Sequence, residues 1–352
     1  MSGEREVRIG IVGCGVVSEF QADAIRQLAG ARVAAFCDSV EPAARARADR
    51  FGGKVFTDFR VMVRSPDIDA VSICTPSGAH LDPALAAAEA GKHVMVEKPI
   101  EVTPERADRI IAACRSKGVK LGAIFPRRFM DSSRTLKAAI DAGRFGTIVL
   151  GDVYIKWFRT QEYYEKGGWR GTWTLDGGGA LMNQGIHGID LLQWLMGGVE
   201  SVSAFAATRA HTRIEVEDVA VVAVRFKNGA LGAIEGTTGS WPGTKIRIEV
   251  SGTEGSAVME DETFLGWKFR KEVPEDDEIR RRYGPREGLS GGGAGDPRAI
   301  DSEGHRRQFE DFVAAIRENR PPGVEGAEGR VAVSVITSIY RAAREGRVVK
   351  VE

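Results

Sequence analysis

Gly10-Ile11-Val12-Gly13-Cys14-Gly15-Val16-Val17-Ser18 decides how this chain is read. The apolar run Val7 to Val12 ends at two close glycines, and an alanine-rich amphipathic stretch follows from Ser18 to Leu28. A strand therefore enters a helix through a turn whose backbone N–H groups can face a pyrophosphate at the helix N-terminus. Gly13, Gly15, Val16 and Val17 are the expected cofactor-binding positions of that turn. Ser18 stands where the dinucleotide fingerprint usually has a third glycine, and it is small enough for close helix packing.

Working outward, short apolar runs alternate with helical patterns as far as Ile124. Arg32 to Cys37, Ala70 to Cys74, His93 to Val96 and Val119 to Ile124 read as further strands, and Pro42 to Phe51 and Pro83 to Ala90 as helices. This rhythm predicts parallel βαβ units, hence an α/β Rossmann domain with a doubly wound parallel sheet over residues 1–125. Asp38 follows the second strand about 20 residues beyond Ser18, where a carboxylate accepts hydrogen bonds from ribose hydroxyls and repels a 2′-phosphate. NAD is therefore expected in preference to NADP; the alternative is that Asp38 caps the helix near Pro42. Thr75-Pro76 and His80, beyond the third strand, lie at the sheet edge where ligands of such folds bind, although His80 also reads as an ordinary helix-start histidine. Glu97-Lys98-Pro99 ends the next strand and suggests a catalytic lysine beside the cofactor.

With 49 basic residues against 49 acidic and no long basic run, the charge pattern expected of a nucleic-acid or membrane-surface binder is missing, so a small-molecule partner is favoured. Cys14, Cys37, Cys74 and Cys114 show no pairing pattern and suggest a reducing compartment. No apolar stretch long enough to span a bilayer follows the polar start, and a cytoplasmic location is expected.

Residues 126–352 change character. One helix-like segment runs from Gly177 to Leu195, followed by alternating runs Ser201 to Thr208, Val216 to Phe226, Ala230 to Thr237, Lys245 to Ser251 and Ser256 to Glu260. They predict an α+β domain with a large, mostly antiparallel open sheet. Asn228-Gly229 predicts a two-residue hairpin turn with both central residues at positive φ. Gly284 to Pro297 reads as a loop, while Phe309 to Ile316 and Gly329 to Arg344 carry helical spacing. On the helix after Gly177, Asn183, His187 and Asp190 share one face, a polar stripe that an active site would use. Tyr163, Arg170 and Trp173 fall in an aromatic stretch suited to stacking on sugar faces, with an aromatic core or subunit contact equally expected. Arg127 and Arg128 face either an anionic substrate or a structural carboxylate. Asn183 and His187 offer at most one good metal ligand, and no metal site is expected.

Gly13-Cys14-Gly15, Asp38, Thr75-Pro76, Glu97-Lys98-Pro99 and the segment from Gly177-Gly178-Gly179 to Asp190, taken together, resemble the glucose-fructose oxidoreductase / inositol dehydrogenase / rhizopine catabolism family over essentially the whole length. The resemblance implies a two-domain NAD(P)-dependent oxidoreductase acting on sugars or cyclitols. It implies Lys98 near the reacting carbinol, Glu97 holding the cofactor ribose, Pro99 fixing the direction of Lys98 and His187 as acid/base. Asn183 departs from the aspartate usual in the inositol dehydrogenases, and can still orient a hydroxyl. The expected activity is oxidation of a ring hydroxyl, such as C3 of a hexose, an anhydrosugar or a nucleotide sugar. The alternatives are an NAD-using glycosidase or lyase acting through transient oxidation, and a non-catalytic dinucleotide sensor. A homodimer or homotetramer through the second domain's sheet is also expected.

Overall fold

The computed structural model describes residues 6–285 and 302–352. The loop expected over Gly284 to Pro297 falls outside the described residues from 286 onward. The chain forms two compact units: described residues 6–126, 174–177 and 302–333 make the first, and 127–173, 178–285 and 334–352 the second.

The first unit is built on six parallel strands, β1 (Val7–Val12), β2 (Ala31–Cys37), β3 (Lys54–Phe56), β4 (Ala70–Ile73), β5 (His93–Val96) and β6 (Leu121–Ala123). They lie in the order β3-β2-β1-β4-β5-β6. Helices α1 (Val16–Arg26), α2 (Glu41–Phe51), α3 (Phe59–Met62), α4 (Leu81–Glu89) and α5 (Pro104–Ser116) connect them. Strands covered on both faces must be apolar throughout, and β1, β4 and β5 are almost wholly buried. Helix starts follow local chemistry: the Thr103 side chain accepts from the Arg106 N–H to cap α5, with Pro104 at its first position.

Residues 302–333, on the far side of the boundary expected at 125/126, also pack in this unit. A helix that follows the second domain's segments, α10 (Glu303–Arg317), lays Phe309, Phe312 and Val313 into the core that α1 lines with Ala22 and Ile25. Its Gln308 accepts from the Phe125 N–H at 3.0 Å and donates to the Ala123 carbonyl at 2.7 Å, which satisfies the end of β6. The apolar face is legible in sequence; its partner is not.

The second unit holds an eight-stranded sheet in the order β13-β12-β11-β7-β10-β9-β8-β14. Its strands are β7 (Ile148–Lys156), β8 (Val199–Ala207), β9 (Val219–Phe226), β10 (Leu231–Thr237), β11 (Arg247–Gly252), β12 (Gly255–Glu260), β13 (Thr263–Phe269) and β14 (Val349–Lys350). All pairs are antiparallel except β7 with β10. β7, β13 and β14 were not among the strands expected from sequence. In β7 only Gly151, Val153 and Ile155 are buried, and the exposed Val149 and Leu150 ahead of them blur the alternation. The helices are α6 (Asp131–Asp141), α7 (Gln161–Glu165), α8 (Ile186–Met196), α9 (Pro274–Tyr283) and α11 (Gly326–Glu345), the last running from one unit into the other.

Two expectations change form here. The β9–β10 turn sits at Asn228-Gly229, but only Gly229 has positive φ, and the Gly229 N–H donates to the Phe226 carbonyl. This is a three-residue connection with glycine in the left-handed position, not a two-residue turn. The single helix expected from Gly177 to Leu195 is a π-helical turn, Ala180–Gly185, that passes into α8. α8 lies against β7 at Gly188, where a Cβ would come within 3.1 Å of Val153 and Ile155.

The polar stripe also divides. Asp190 is 1% exposed and bound in bidentate fashion by Arg128, Nε to Oδ2 at 2.8 Å and Nη2 to Oδ1 at 2.6 Å. Of the two arginines, Arg128 therefore holds a structural carboxylate. Removing one partner of a buried pair strands the other charge, so Arg128→Ala is expected to cost about 3–5 kcal/mol. Urea denaturation checks this, and an unchanged midpoint would show that the pair is dispensable.

Candidate active site

In the first unit, the candidate residues gather at the carboxyl ends of β1, β2, β4 and β5. Gly13 has φ +90°, and a Cβ there would sit 2.6 Å from the Cys74 carbonyl carbon, so the fold itself demands glycine. Gly15 differs: its φ of −72° suits any residue, and a Cβ would meet no heavy atom within 4 Å. Nothing among the described residues explains a glycine there, whereas close approach of a bound group does. Gly15 also leads α1 without any side-chain cap, which leaves first-turn N–H groups for an anion.

Asp38 does not cap α2, whose start at Val40 has no side-chain cap. Its Oδ2 accepts from the Cys14 N–H at 2.8 Å and its Oδ1 from the Val40 N–H at 2.9 Å, so the carboxylate is fixed beside the glycine turn, half-buried. An uncapped helix start, an open glycine surface and a positioned carboxylate fit a dinucleotide. The turn Gly13 to Val17 would hold its phosphates and Asp38 its adenosine ribose.

Thr75 donates through Oγ1 to the Ala79 carbonyl at 3.1 Å, and Pro76 leads a short turn, Ser77–Ala79. His80 is 1% exposed, with Nδ1 at 2.9 Å from the Pro99 carbonyl oxygen and Nε2 at 2.9 Å from that of Thr75. Burial pushes its imidazole below the ordinary value. His80 thus braces the Thr75 and Pro99 loops from inside, and both its nitrogens are turned to the chain instead of to a cofactor.

Glu97 is likewise turned inward. Gln21 Nε2 donates to its Oε1 at 2.6 Å, the Lys98 N–H donates to its Oε2 at 3.0 Å, and His305 Nε2 lies 4.0 Å away. Ser72 Oγ donates in turn to Gln21 Oε1. The glutamate expected to hold a ribose is 5% exposed and anchors the loop that carries Lys98. Lys98 itself is half-buried, and the Lys98–Pro99 peptide is cis. Gln21, Ser72 and His305 were not found by sequence reasoning; the available signal was a glutamine on the buried face of an amphipathic helix.

In the second unit the π-helical turn carries Asn183 and Gln184, and His187 follows in the first turn of α8. Such turns are frequent at functional sites. A buried carboxylate holds its start: Glu217 accepts at 2.9 Å from the N–H groups of Gly179 and Leu181 and from the Tyr340 hydroxyl. Gly178 and Gly179 are required because a Cβ would come within 2.2 Å of Tyr340 Oη and 1.7 Å of the Glu217 carbonyl oxygen, respectively. The adjacent Asp218 accepts from the N–H groups of Arg209, Ala210 and His211. Both acids escaped the sequence analysis, although a Glu-Asp pair opening an apolar alternation was a visible anomaly.

The remaining candidates separate. Tyr163 Oη accepts from Gln184 Nε2 at 2.9 Å, and the Arg170 guanidinium lies 4.5 Å from the Tyr163 ring centroid. Trp173 is exposed, its ring edge-on to that of Tyr340 at 5.2 Å, and its backbone N–H donates to the Glu215 carboxylate. Arg127 is paired with Asp261 at 2.9 Å and so resolves to a structural role.

A parallel six-stranded sheet with this turn and carboxylate defines a dinucleotide-binding domain. Residues 7–125 match the oxidoreductase family with NAD-binding Rossmann fold, and residues 133–258 match the GFO/IDH/MocA C-terminal domain. The chain belongs to the GFO/IDH/MocA family, and NAD is its cofactor. It is similar to the WlbA dehydrogenase from Bordetella pertussis, solved in complex with NADH and UDP-GlcNAcA, at TM-score 0.89 and 35% identity over 99% of this chain and 98% of that one. It is 27% identical to the myo-inositol 2-dehydrogenase of Thermotoga maritima over 98% of this chain and 99% of the relative. It is 31% identical to the D-glucoside 3-dehydrogenase of Escherichia coli over 64% and 68%. The protein is thus an NAD-binding oxidoreductase of the sugar and cyclitol dehydrogenase kind. Among the described residues no helix is long and apolar enough to cross a membrane.

Burial pushes the Glu217 carboxyl from its ordinary 4.5 up to about 7, against the pull of its three donors. With the folded value raised, its contribution to stability is full below about pH 4.5 and is lost as the pH rises through about 7. Glu217→Gln is therefore expected to remove about 3 kcal/mol of pH dependence across that window. Thermal denaturation of both proteins from acid to neutral pH checks this, and parallel curves would contradict it.

Proposed function

We propose that the protein oxidises a ring hydroxyl of a nucleotide-linked hexose. The likeness to the WlbA dehydrogenase carries this reading, since it spans nearly all of both chains at 35% identity, while the cyclitol relative stands at 27%. The chemistry that NAD supplies when bound is hydride uptake at its nicotinamide. His187 takes up the hydroxyl proton, and the Lys98 ammonium stabilises the negative charge that grows on that oxygen as hydride leaves the carbon. Asn183 orients a neighbouring hydroxyl, and Trp173 offers an exposed ring for stacking. Four free, buried cysteines support the expectation of a reducing, cytoplasmic setting.

We further propose that a second copy of the chain covers the outer face of the large sheet. Phe205 pairs in register with Val221 on β8 and β9, and Leu231 with Leu150 on β10 and β7; all four are exposed. The two apolar pairs stand four residues apart on the same face, with Arg225 and Glu235 opposite them, a mixed surface suited to a second copy.

Incubation with NAD and a panel of nucleotide sugars, free sugars, anhydrosugars and cyclitols is expected to yield NADH and a two-hydrogen mass loss from a nucleotide sugar alone. Cleavage without NADH would favour redox-assisted glycoside elimination, and silence would favour a sensor. Lys98→Met should lower turnover by orders of magnitude while NAD still binds; near-normal turnover would sink the lysine assignment. Sedimentation velocity should give a dimer or tetramer that Phe205→Glu weakens, and a wild-type monomer would refute the pairing.

A further inference from the structure

The π-helical turn Ala180–Gly185 starts against a single residue. Glu217 takes three consecutive amides: its Oε2 accepts from the Gly179 N–H and its Oε1 from that of Leu181, both at 2.9 Å, while its backbone carbonyl oxygen accepts from the Ala180 N–H at 3.0 Å. The first N–H groups of a helical segment have no partner inside it, so the group that receives them sets where the segment begins. Sterics press the same way. A Cβ on Gly179 would meet the Glu217 carbonyl oxygen at 1.7 Å, and one on Gly236 of β10 would meet Leu181 Cδ2 at 2.4 Å. Asp218, next in the chain, takes no part, because its carboxylate receives the amides of Arg209, Ala210 and His211 instead.

Tyr340, on α11, is 5% exposed and donates through its hydroxyl to Glu217 Oε1 at 2.9 Å. Its ring also stands edge-on to that of Trp173 at 5.2 Å, and a Cβ on Gly178 would come within 2.2 Å of the hydroxyl. One buried side chain thus backs both the exposed Trp173 ring and the turn that carries Asn183 and leads to His187. A π-helical turn is rare, and ordinary α winding is its ready alternative. Relaxation to α winding takes one residue out of the turn, and a one-residue slip swings a helical side chain by about 100° around the axis. Asn183 and His187 would then change their relative placement.

We infer that Tyr340 is a positioning residue of the reaction: through Glu217 it holds the π-helical turn in register and so sets where Asn183 stands relative to His187. This rests on the dehydrogenase reading above and gives a buried side chain a role within it. Tyr340→Phe isolates that role, since it keeps the ring against Trp173 and deletes only the hydroxyl. Glu217→Gln attacks the other half of the pair, because an amide offers one acceptor oxygen where the carboxylate offers two.

The experiment compares the full-length wild type with Tyr340→Phe, Glu217→Gln and the double variant. With NAD and UDP-GlcNAcA, the ligand bound to the similar WlbA dehydrogenase, each single variant is expected to lose about 10- to 100-fold in kcat. NADH affinity, read by fluorescence titration, is expected to stay at the wild-type value. The double variant should lose no more than the worse single one, because the two residues act as a unit. Amide hydrogen exchange without ligand should rise over residues 179–187 and stay unchanged over residues 10–18. Wild-type kcat in Tyr340→Phe, losses that add in the double variant, or unchanged exchange over the turn overturns the inference. A fall in NADH affinity as large as the fall in kcat does so too, since it marks a general structural role. Should Tyr340→Phe not fold, Glu217→Gln supplies the same exchange readout. Exchange is read whether or not a sugar is oxidised, so a loosened turn in a protein that oxidises nothing would sink the dehydrogenase reading and leave the hold on the turn standing.

Discussion

A peptide N–H removed from water must find an acceptor, and at the loops that carry the candidate site this chain supplies carboxylates. Asp38 receives Cys14 and Val40, Glu97 receives Lys98, and Glu101 receives Leu81 and Val102. In the second unit Glu217 receives Gly179 and Leu181, and Asp218 receives three consecutive amides. Charge-assisted bonds of this kind exceed neutral ones in strength, and each fixes a turn that has no regular partner. The acids that look like candidates for catalysis are therefore largely scaffolding.

The balance between desolvation and hydrogen-bond donors decides the chemistry of each acid. Asp218, against the upward pull of burial, is held below the usual carboxylate range by its amides and by His211. Glu217 has three donors and still rises, because the desolvation of its carboxyl outweighs them. The same reasoning separates the arginines. Arg128 and Arg127 found carboxylates within their own unit, while among the described residues Arg170 meets only rings and a carbonyl. Fixed carboxylate partners tie the first two into the frame.

Much of the fold was legible because its signals are local. Strand-like runs separated by helical patterns announced the parallel sheet, and alternation announced most of the second one. β7 was missed because its exposed leading residues blur the period, and the β9–β10 turn was placed but mistyped because the conformation of Asn228 depends on strand pairing. In the site, the glycine turn, Asp38 and Lys98 were legible as a spaced pattern. The inward orientation of Glu97 and His80 was not, since it depends on Gln21, Thr75 and Pro99, which the fold brings to them.

By itself the sequence determined the parallel sheet, the dinucleotide turn at its first strand and the family to which the chain belongs, because periodicity, glycine placement and short motifs are properties of neighbouring residues. Tertiary structure alone decided the return of α10 to the first unit, the clamp of Glu217 on the π-helical turn, and which arginines are paired. Those outcomes depend on contacts between residues far apart in the chain, where burial, and not residue type, sets what a charge must do.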